Sequence, residues 1–404
     1  NLYNSGKEAA ALTDFLVKRF IKNSTDVNDP AVRTAYGNLA GAVGIFCNVL
    51  LCAAKLAVGT LFGSISITAD AVNNLSDASS SVITLVGFRL SAKPADDEHP
   101  YGHARIEYLA GLAVSVMILV IGVELARSSI GKILSPTAVE FSLVTVAVLL
   151  LSIGVKLWMA AFNKDLSRRI GSAAMAATAT DSLSDVVATS AVLLGTLVGR
   201  FSGLRIDGWV GILVAAFILR AGWGAAKDTL DPLLGQSPDP SLVQGVQETV
   251  LSHPEITGIH DLVIHDYGPG RSMMSLHAEV PMDADVLEVH DIINVERELK
   301  EKFHTEAVIH MDPIATHDPA VNAMRGQVAG LVREIDPAMT IHDFRMTAGP
   351  DHQNLIFDTV VPYQCALTDE EVKAAIAQKA GELEGGPYFT VVSIDRAYAE
   401  MPEP

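Results

Sequence analysis

Two pairs of oxygen-bearing side chains stand four residues apart inside otherwise apolar stretches: Asn73 with Asp77 in ITADAVNNLSDASSSVITLVG, and Asp181 with Asp185 in AATATDSLSDVVATSAVLLG. On a helix, residues i and i+4 lie one above the other on one face, so each pair offers two ligand atoms to one point in space. Carboxylates within hydrocarbon are costly and are kept where they carry ions or protons. Two helices bearing such pairs make a four-ligand cation site. Buried polar residues also act as glue between membrane helices. That alternative stays open for Asn73 alone, whereas three aspartates at matched spacing cost more than glue returns. Asp70 lies on the same side of its helix, about two turns from Asp77, and reads as a supporting hydrogen-bonding residue.

The donor set narrows the cargo. All 12 histidines fall outside the apolar stretches, and no cysteine joins the aspartates. Three carboxylates and one amide carbonyl suit hard cations such as Mn²⁺, Mg²⁺ or Ca²⁺, while imidazole and thiolate favour Zn²⁺, Cu and Ni. Zn²⁺ also accepts carboxylates, so the set expresses a preference.

A hydrocarbon core about 30 Å thick takes about 20 helical residues to cross. Six candidate spans, 38–63, 65–90, 107–131, 139–162, 172–199 and 207–227, lie within a transmembrane domain over 38–230. Among their few charges the informative ones are Lys55, Asp70, Asp77, Glu124, Lys156, Asp181 and Asp185. Lys and Arg crowd one set of flanks, with Lys7, Lys18, Arg19, Lys22 and Arg33, then Arg89, Lys93 and Arg105, then Lys164, Arg168 and Arg169. The opposite flanks carry only Lys132, Arg200 and Arg205, with Arg127 nearby. This asymmetry puts both termini in the cytoplasm. Residues 1–37 read as a cytoplasmic amphipathic segment on the membrane surface rather than a signal peptide.

Composition agrees. The 404 residues are 49% hydrophobic, more than an ordinary soluble domain, and most of the formal charge of −18 belongs to the tail. An acidic total argues against a nucleic-acid partner. Cys47, Cys52 and Cys365 are too few and too scattered for a disulfide framework or a thiolate site.

The tail repeats itself. VQGVQETVLSHPEITGIHDLVIHDYGPGR has a counterpart in MRGQVAGLVREIDPAMTIHDFRMTAGPDH, with Ile259-His260-Asp261 matching Ile341-His342-Asp343. Each unit of about 80 residues reads as an αββαβ, ferredoxin-like α+β sandwich, one over 236–315 and a degenerate copy over 316–404. The first contains His260, His277, His290, His310 and Asp312, which either converge from strands or are surface histidines. In the second, His277 aligns with Asp358 and His310 falls in Val392-Ser393-Ile394, so it reads as a packing or dimerisation copy. The loop Asp96-Asp97-Glu98-His99-Pro100-Tyr101-Gly102-His103 offers Asp96, His99 and His103 either to a metal or to capping the next helix.

Together, six spans, GSISITADAVNNLSD, HPYGHARIEYLAGL, DSLSD, IDGWVGILVA and AVIHMDPI resemble the cation diffusion facilitator family of metal/proton antiporters over about residues 36–313. The resemblance implies that Asn73, Asp77, Asp181 and Asp185 form the transport site. It implies a second site at Asp96, His99 and His103, and a cytoplasmic one at His260, His277, His290, His310 and Asp312 between the tails of a homodimer. It further implies a charge lock between Arg105 and Asp231. An all-oxygen set led by asparagine resembles the bacterial manganese-exporting branch, which implies a multi-pass protein of the bacterial inner membrane. The expected activity is Mn²⁺/H⁺ antiport by alternating access, with Zn²⁺ or Fe²⁺ export as the alternative cargo. A membrane-anchored metal sensor is the rival from another class. No enzymatic activity and no permanent cofactor are expected; the partners are lipid, protons and a second copy of the chain.

Overall fold

The computed structural model describes residues 2–27, 29–61, 65–135, 143–202, 206–283, 292–315, 318–348 and 352–398. Its contacts divide into two units, residues 1–236 with 266–271, and residues 237–265 with 272–404.

The first unit is helical: α1 (Leu2–Phe20), α2 (Pro30–Leu61), α3 (Ile65–Ser91), α4 (Ile106–Leu134), α5 (Leu143–Ile170), α6 (Ala173–Ser202) and α7 (Asp207–Leu234). Among α2–α7 even the shortest, the 27-residue α3, is about 40 Å long and exceeds the hydrocarbon thickness. Four stretches, Ala31–Leu61, Ile106–Leu134, Leu143–Ile170 and Gly208–Leu234, are long and apolar enough to cross a membrane. The helices α3 and α6 match them in length but carry the polar residues singled out above.

At their C-termini α5 and α7 run furthest past the apolar stretches that announced them. α5 continues past Lys164 and Arg168 to Ile170, and α7 continues to Leu234. Hydropathy marks where a helix leaves hydrocarbon; backbone chemistry marks where it ends. Each of these two is followed by a glycine at positive φ, Gly171 at 60° and Gly235 at 92°, a conformation that glycine adopts at little cost.

The outward faces of the helices expose Phe46, Val120, Leu213 and Trp223, as expected where lipid replaces water. Inside, small residues let backbones approach closely. A Cβ on Gly111 would stand 2.9 Å from the Ala174 Cα and 2.7 Å from the Thr229 Cγ2, so α4 meets α6 and α7 with no room for a side chain. Along α2, Gly37 and Gly44 give the same access to Phe88 and Ser81 of α3. The amphipathic α1 packs Val17 into a core with Phe162, Leu166 and Ile170 of α5.

The second unit is α+β. Its order is α8 (Pro240–Leu251), β1 (Gly258–Asp266), β2 (Ser272–Pro281), α9 (Ile292–Phe303), β3 (Thr305–Ile314), then α10 (Pro319–Ile335), β4 (Thr340–Ala348), β5 (Gln353–Val360), α11 (Asp369–Ala380) and β6 (Tyr388–Asp395). The order α-β-β-α-β thus occurs twice. The sheets run β1-β2-β3 and β4-β5-β6. β2 pairs with β3 in parallel, and β5 with β6 likewise, as a helical crossover requires.

Local signals explain these elements. Asp239 and Asp318 accept backbone N–H bonds at the starts of α8 and α10, each with proline in the first turn. Thr368 and Glu371 form a reciprocal capping box on α11. On β2 the alternation sends Met274, Leu276, Ala278 and Val280 inward against Val246 and Leu299. The second half repeats the pattern with Leu355 and Phe357 against Val328 and Ile376.

An arginine–carboxylate pair ties the two halves of this unit together. Arg325 of α10 donates from Nη2 to both carboxylate oxygens of buried Glu279 on β2, at 2.8 and 3.0 Å. Arg325→Ala strands that carboxylate and is expected to cost about 3 kcal/mol. The measurement is the denaturation midpoint of the tail transition in the full chain, and an unchanged midpoint refutes the pair's role.

Candidate metal sites

The helical unit gathers its acidic residues around a cation of its own. Lys156 of α5, nearly fully buried, donates from Nζ to Asp77 Oδ2 at 2.8 Å and to Asp185 Oδ2 at 2.6 Å. Asp181 turns instead to Ser80 of α3, whose hydroxyl donates to its Oδ2 at 2.7 Å. One turn further along the same helix pair, the Thr84 and Thr178 hydroxyls meet at 2.8 Å. The polar stripes of α3 and α6 therefore face each other, and the i, i+4 spacing of Asp181 and Asp185 points both toward α3 and α5.

Asp77, Asp181 and Asp185 do not close on one point. Among the described residues, triads with ligand atoms within 4.8 Å of one another occur in the loop and the tail, not here. Lysine bridges two of the carboxylates and serine holds the third. Asn73 lies one turn before Asp77 on α3; it is exposed and makes no hydrogen bond or ion pair among the described residues. The side chain of Asp70 is outside the described residues, so its expected support is not on view. Nearby, buried Lys55 of α2 donates to Asn74 Oδ1 at 2.9 Å.

Lys156 and Ser80 were not among the candidate ligands. A signal for Lys156 was present all the same: an ammonium in an apolar helix must find an anion. Which anion it finds depends on the packing of α5 on α6.

The loop before α4 does converge. Asp96 accepts the His99 backbone N–H at 2.7 Å, which holds its carboxyl below the usual carboxylate value. Its other oxygen lies 3.4 Å from His103 Nε2. His103 Nδ1 lies 3.1 Å from the Pro94 carbonyl, which takes a proton on that nitrogen and leaves the Nε2 lone pair toward Asp96. Asp96, His99 and His103 present ligand atoms within 4.8 Å of one another. Two imidazoles and a carboxylate suit a Zn²⁺-class cation better than Mn²⁺.

The tail histidines converge too. Asp312 of β3 takes His277 Nδ1 at 2.8 Å and His260 Nε2 at 3.2 Å on one oxygen, and His310 Nδ1 at 3.2 Å on the other. The parallel register sets His277 directly opposite His310. Of the two alternatives, these three follow the convergent one; His290 lies outside the described residues. Burial pushes His260 down, yet the carboxylates of Asp261, Asp343 and Asp312 outweigh it and leave the imidazole above its ordinary value. Asp261 is held low, chiefly by His260.

Two further expectations meet a different outcome. Arg105 does not pair with Asp231 within this chain. Its Nε donates to the Asp266 carbonyl at 3.0 Å, Nη2 reaches the same oxygen, and its guanidinium lies 4.8 Å from the Tyr267 ring centre. Tyr108 Oη donates to Asp266 Oδ2 at 2.8 Å, so Arg105 and Tyr108 both meet Asp266 within the first unit. The second tail half, read as having lost its histidines, places His342 in two triads, one with His260 and Asp343 and one with Asp261 and Asp395. The repeated Ile-His-Asp was the signal. Aligning only the strand histidines concealed it.

Comparison with known proteins supports the same division. Residues 42–234 match the cation efflux transmembrane domain, and residues 238–314 match the cytoplasmic domain of cation efflux proteins. An uncharacterized transporter of Methanocaldococcus jannaschii is 30% identical over 272 residues, covering 67% of this chain and 96% of that protein. The manganese efflux system protein MneS of Bacillus subtilis is 28% identical over 280 residues, covering 69% of this chain and 96% of its own. The cation-efflux pump FieF of Citrobacter koseri is 30% identical over 287 residues, covering 69% and 94%. Two matched domains in sequence, with relatives covered almost end to end, show that the chain belongs to the cation diffusion facilitator family, whose members are divalent cation efflux transporters and not enzymes.

Proposed function

We propose that this transporter exports a hard divalent cation, Mn²⁺ by preference, from the cytoplasm in exchange for protons. In this reading α2–α7 cross the bacterial inner membrane with both termini inside, and the acidic set on α3 and α6 is the transport site. The observation that supports it most is Lys156: a cationic group already lies between carboxylates of two different helices. Ammonium–oxygen contacts of 2.6 and 2.8 Å would shorten to roughly 2.0–2.2 Å around a small divalent ion.

The ammonium keeps the carboxylates from repelling one another when no metal is bound. A lysine's flexible four-carbon stem lets it withdraw as metal enters. Asp181 then leaves Ser80 to complete the set, and Asn73 adds its amide oxygen from the preceding turn. After release on the far side, protons and the returning ammonium rebalance the site. The loop and tail histidine clusters sense cytosolic metal. The tail also forms the homodimer, to which the matched cytoplasmic domain and an Arg105–Asp231 lock between copies would contribute. Asp70 supports the site from the start of α3. The second tail half is a degenerate copy that adds interface.

Export of Zn²⁺ or Fe²⁺ is the second reading. It is favoured by the exposed Asn73, which has no hydrogen bond or ion pair among the described residues and so leaves three carboxylates that discriminate weakly, and by a similarity to FieF as high as that to MneS. The rival of a sensor without transport separates at Asp181.

In proteoliposomes, Asp181→Ala is expected to abolish Mn²⁺ flux, and alkalinising the outward-facing side to slow it in the parent protein. Flux indifferent to the proton gradient refutes antiport, and metal signalling that persists without flux-competent Asp181 favours the sensor. Asn73→His is expected to move the Zn²⁺/Mn²⁺ flux ratio toward zinc by about tenfold, equivalent to about 1.4 kcal/mol; an unmoved ratio removes Asn73 from selectivity. Lys156→Met leaves the buried carboxylates unbalanced and is expected to cost about 3 kcal/mol in metal-free protein, largely recovered in Mn²⁺. Thermal melts in detergent with and without Mn²⁺ check this, and equal losses in both conditions contradict it.

A further inference from the structure

The seam between the two α+β halves holds polar atoms that the transport reading does not use. His260 of β1 and His342 of β4 stack with ring centres 4.2 Å apart. They are only 8% and 4% exposed, and among the described residues none of their four ring nitrogens has a partner aligned as a hydrogen bond. Buried Oδ1 of Asp343 also lacks one, with Arg345 no nearer than 3.8 Å. Carboxylates crowd the rings without aligning as acceptors: Asp312 at 3.2 Å from His260 Nε2, Asp261 at 3.4 Å from His260 Nδ1, and Asp395 at 3.5 Å and Asp261 at 3.8 Å from His342 Nε2. Folded interiors leave few buried polar atoms unsatisfied. Five on three adjoining residues, ringed by acids, have the character of a ligand set.

We propose that His260, His342 and Asp343 hold a divalent transition-metal ion between the two halves of the tail, with Asp261 and Asp395 balancing its charge. The three residues offer one ligand atom each within 4.8 Å of one another. Imidazole with carboxylate selects Zn²⁺, Fe²⁺, Co²⁺ or Ni²⁺ over Mn²⁺. The seam therefore answers to a different class of ion from the oxygen-only set in the helices.

The backbone accounts for how one strand segment supplies two neighbouring ligands. In a regular strand, successive side chains point to opposite faces. Asp261 and Asp343 both sit at φ 52°, at the same place in the repeated Ile-His-Asp, and the β4–β5 register shifts between His342 and Arg345. Such a bulge re-aims a side chain, so a histidine and the next aspartate reach the same side.

The seam also bears on the neighbouring cluster. His260 points Nε2 toward Asp312 and Nδ1 toward Asp261. A neutral imidazole has one lone pair to donate, so His260 serves one ion at a time. An ion at the seam takes that lone pair and leaves the neighbouring cluster to His277, His310 and Asp312. The second half thereby sets how the first half binds metal.

The test uses the full chain in detergent, stripped with chelator and equilibrated with Zn²⁺ alone, with bound zinc per chain measured across free concentrations. His342→Gln is expected to lose about one equivalent relative to the parent, whereas His277→Gln keeps the His342-dependent ion. His342→Gln binding as much zinc as the parent at every concentration overturns the seam site. If His342→Gln melts lower without metal, Asp343→Asn replaces it in the same assay: loss of the equivalent supports the site, and unchanged zinc overturns it. Bound zinc in stripped protein is read without transport, so this result is independent of whether the helices export Mn²⁺.

Discussion

The structure depends on balancing charge where water is absent. Asp77, Asp181 and Asp185 sit within the helical unit, and a carboxylate stripped of water costs several kcal/mol unless it is paired. The fold meets that cost with Lys156 across two of them and the Ser80 hydroxyl on the third. Each helix then has a part. α3 and α6 bring the acids face to face, α5 supplies the counter-charge, and the small residues of α2 and α4 let the helices close on one another. In the proposed transport reading, the place of the ammonium between Asp77 and Asp185 is the one a free cation would take.

The helical unit and the α+β unit solve burial differently. In the first, apolar residues face outward as well as inward, and packing between the helices rests on shape. In the second, alternation on the strands and stripes on the helices drive burial against water, and caps at Asp239, Asp318 and Thr368 finish the helix ends. The same residue type therefore has a different meaning in each. An aspartate in α6 is a costly functional group; an aspartate before α8 is an ordinary cap.

Much of the candidate site was legible in the chain because it is local. Spacing of four on a helix places Asp181 above Asp185 whatever else the protein does. Apolar runs separated by basic flanks located the long helices, and alternation located the strands. Helix ends were less legible, since α5 and α7 run on through polar turns until Gly171 and Gly235 stop them. Least legible were pairings between distant segments. Lys156 carries an odd charge whose partner no spacing names, Arg105 meets the Asp266 carbonyl through the packing of distant segments, and His342 sits in a half without counterparts of His277 and His310.

By itself the sequence determined which residues share a helix face, which donor atoms exist in the apolar segments, and that the tail carries one pattern twice. Those properties follow from backbone periodicity and residue chemistry, which act over a few neighbours. Only the tertiary structure decided that Lys156 stands between Asp77 and Asp185, that Asp181 rests on Ser80, and that His260 meets His342 across the seam. Contacts of this kind join residues as far apart as 101 positions, as Ser80 and Asp181 are. They are set by how whole elements pack, and no local rule of spacing contains that information.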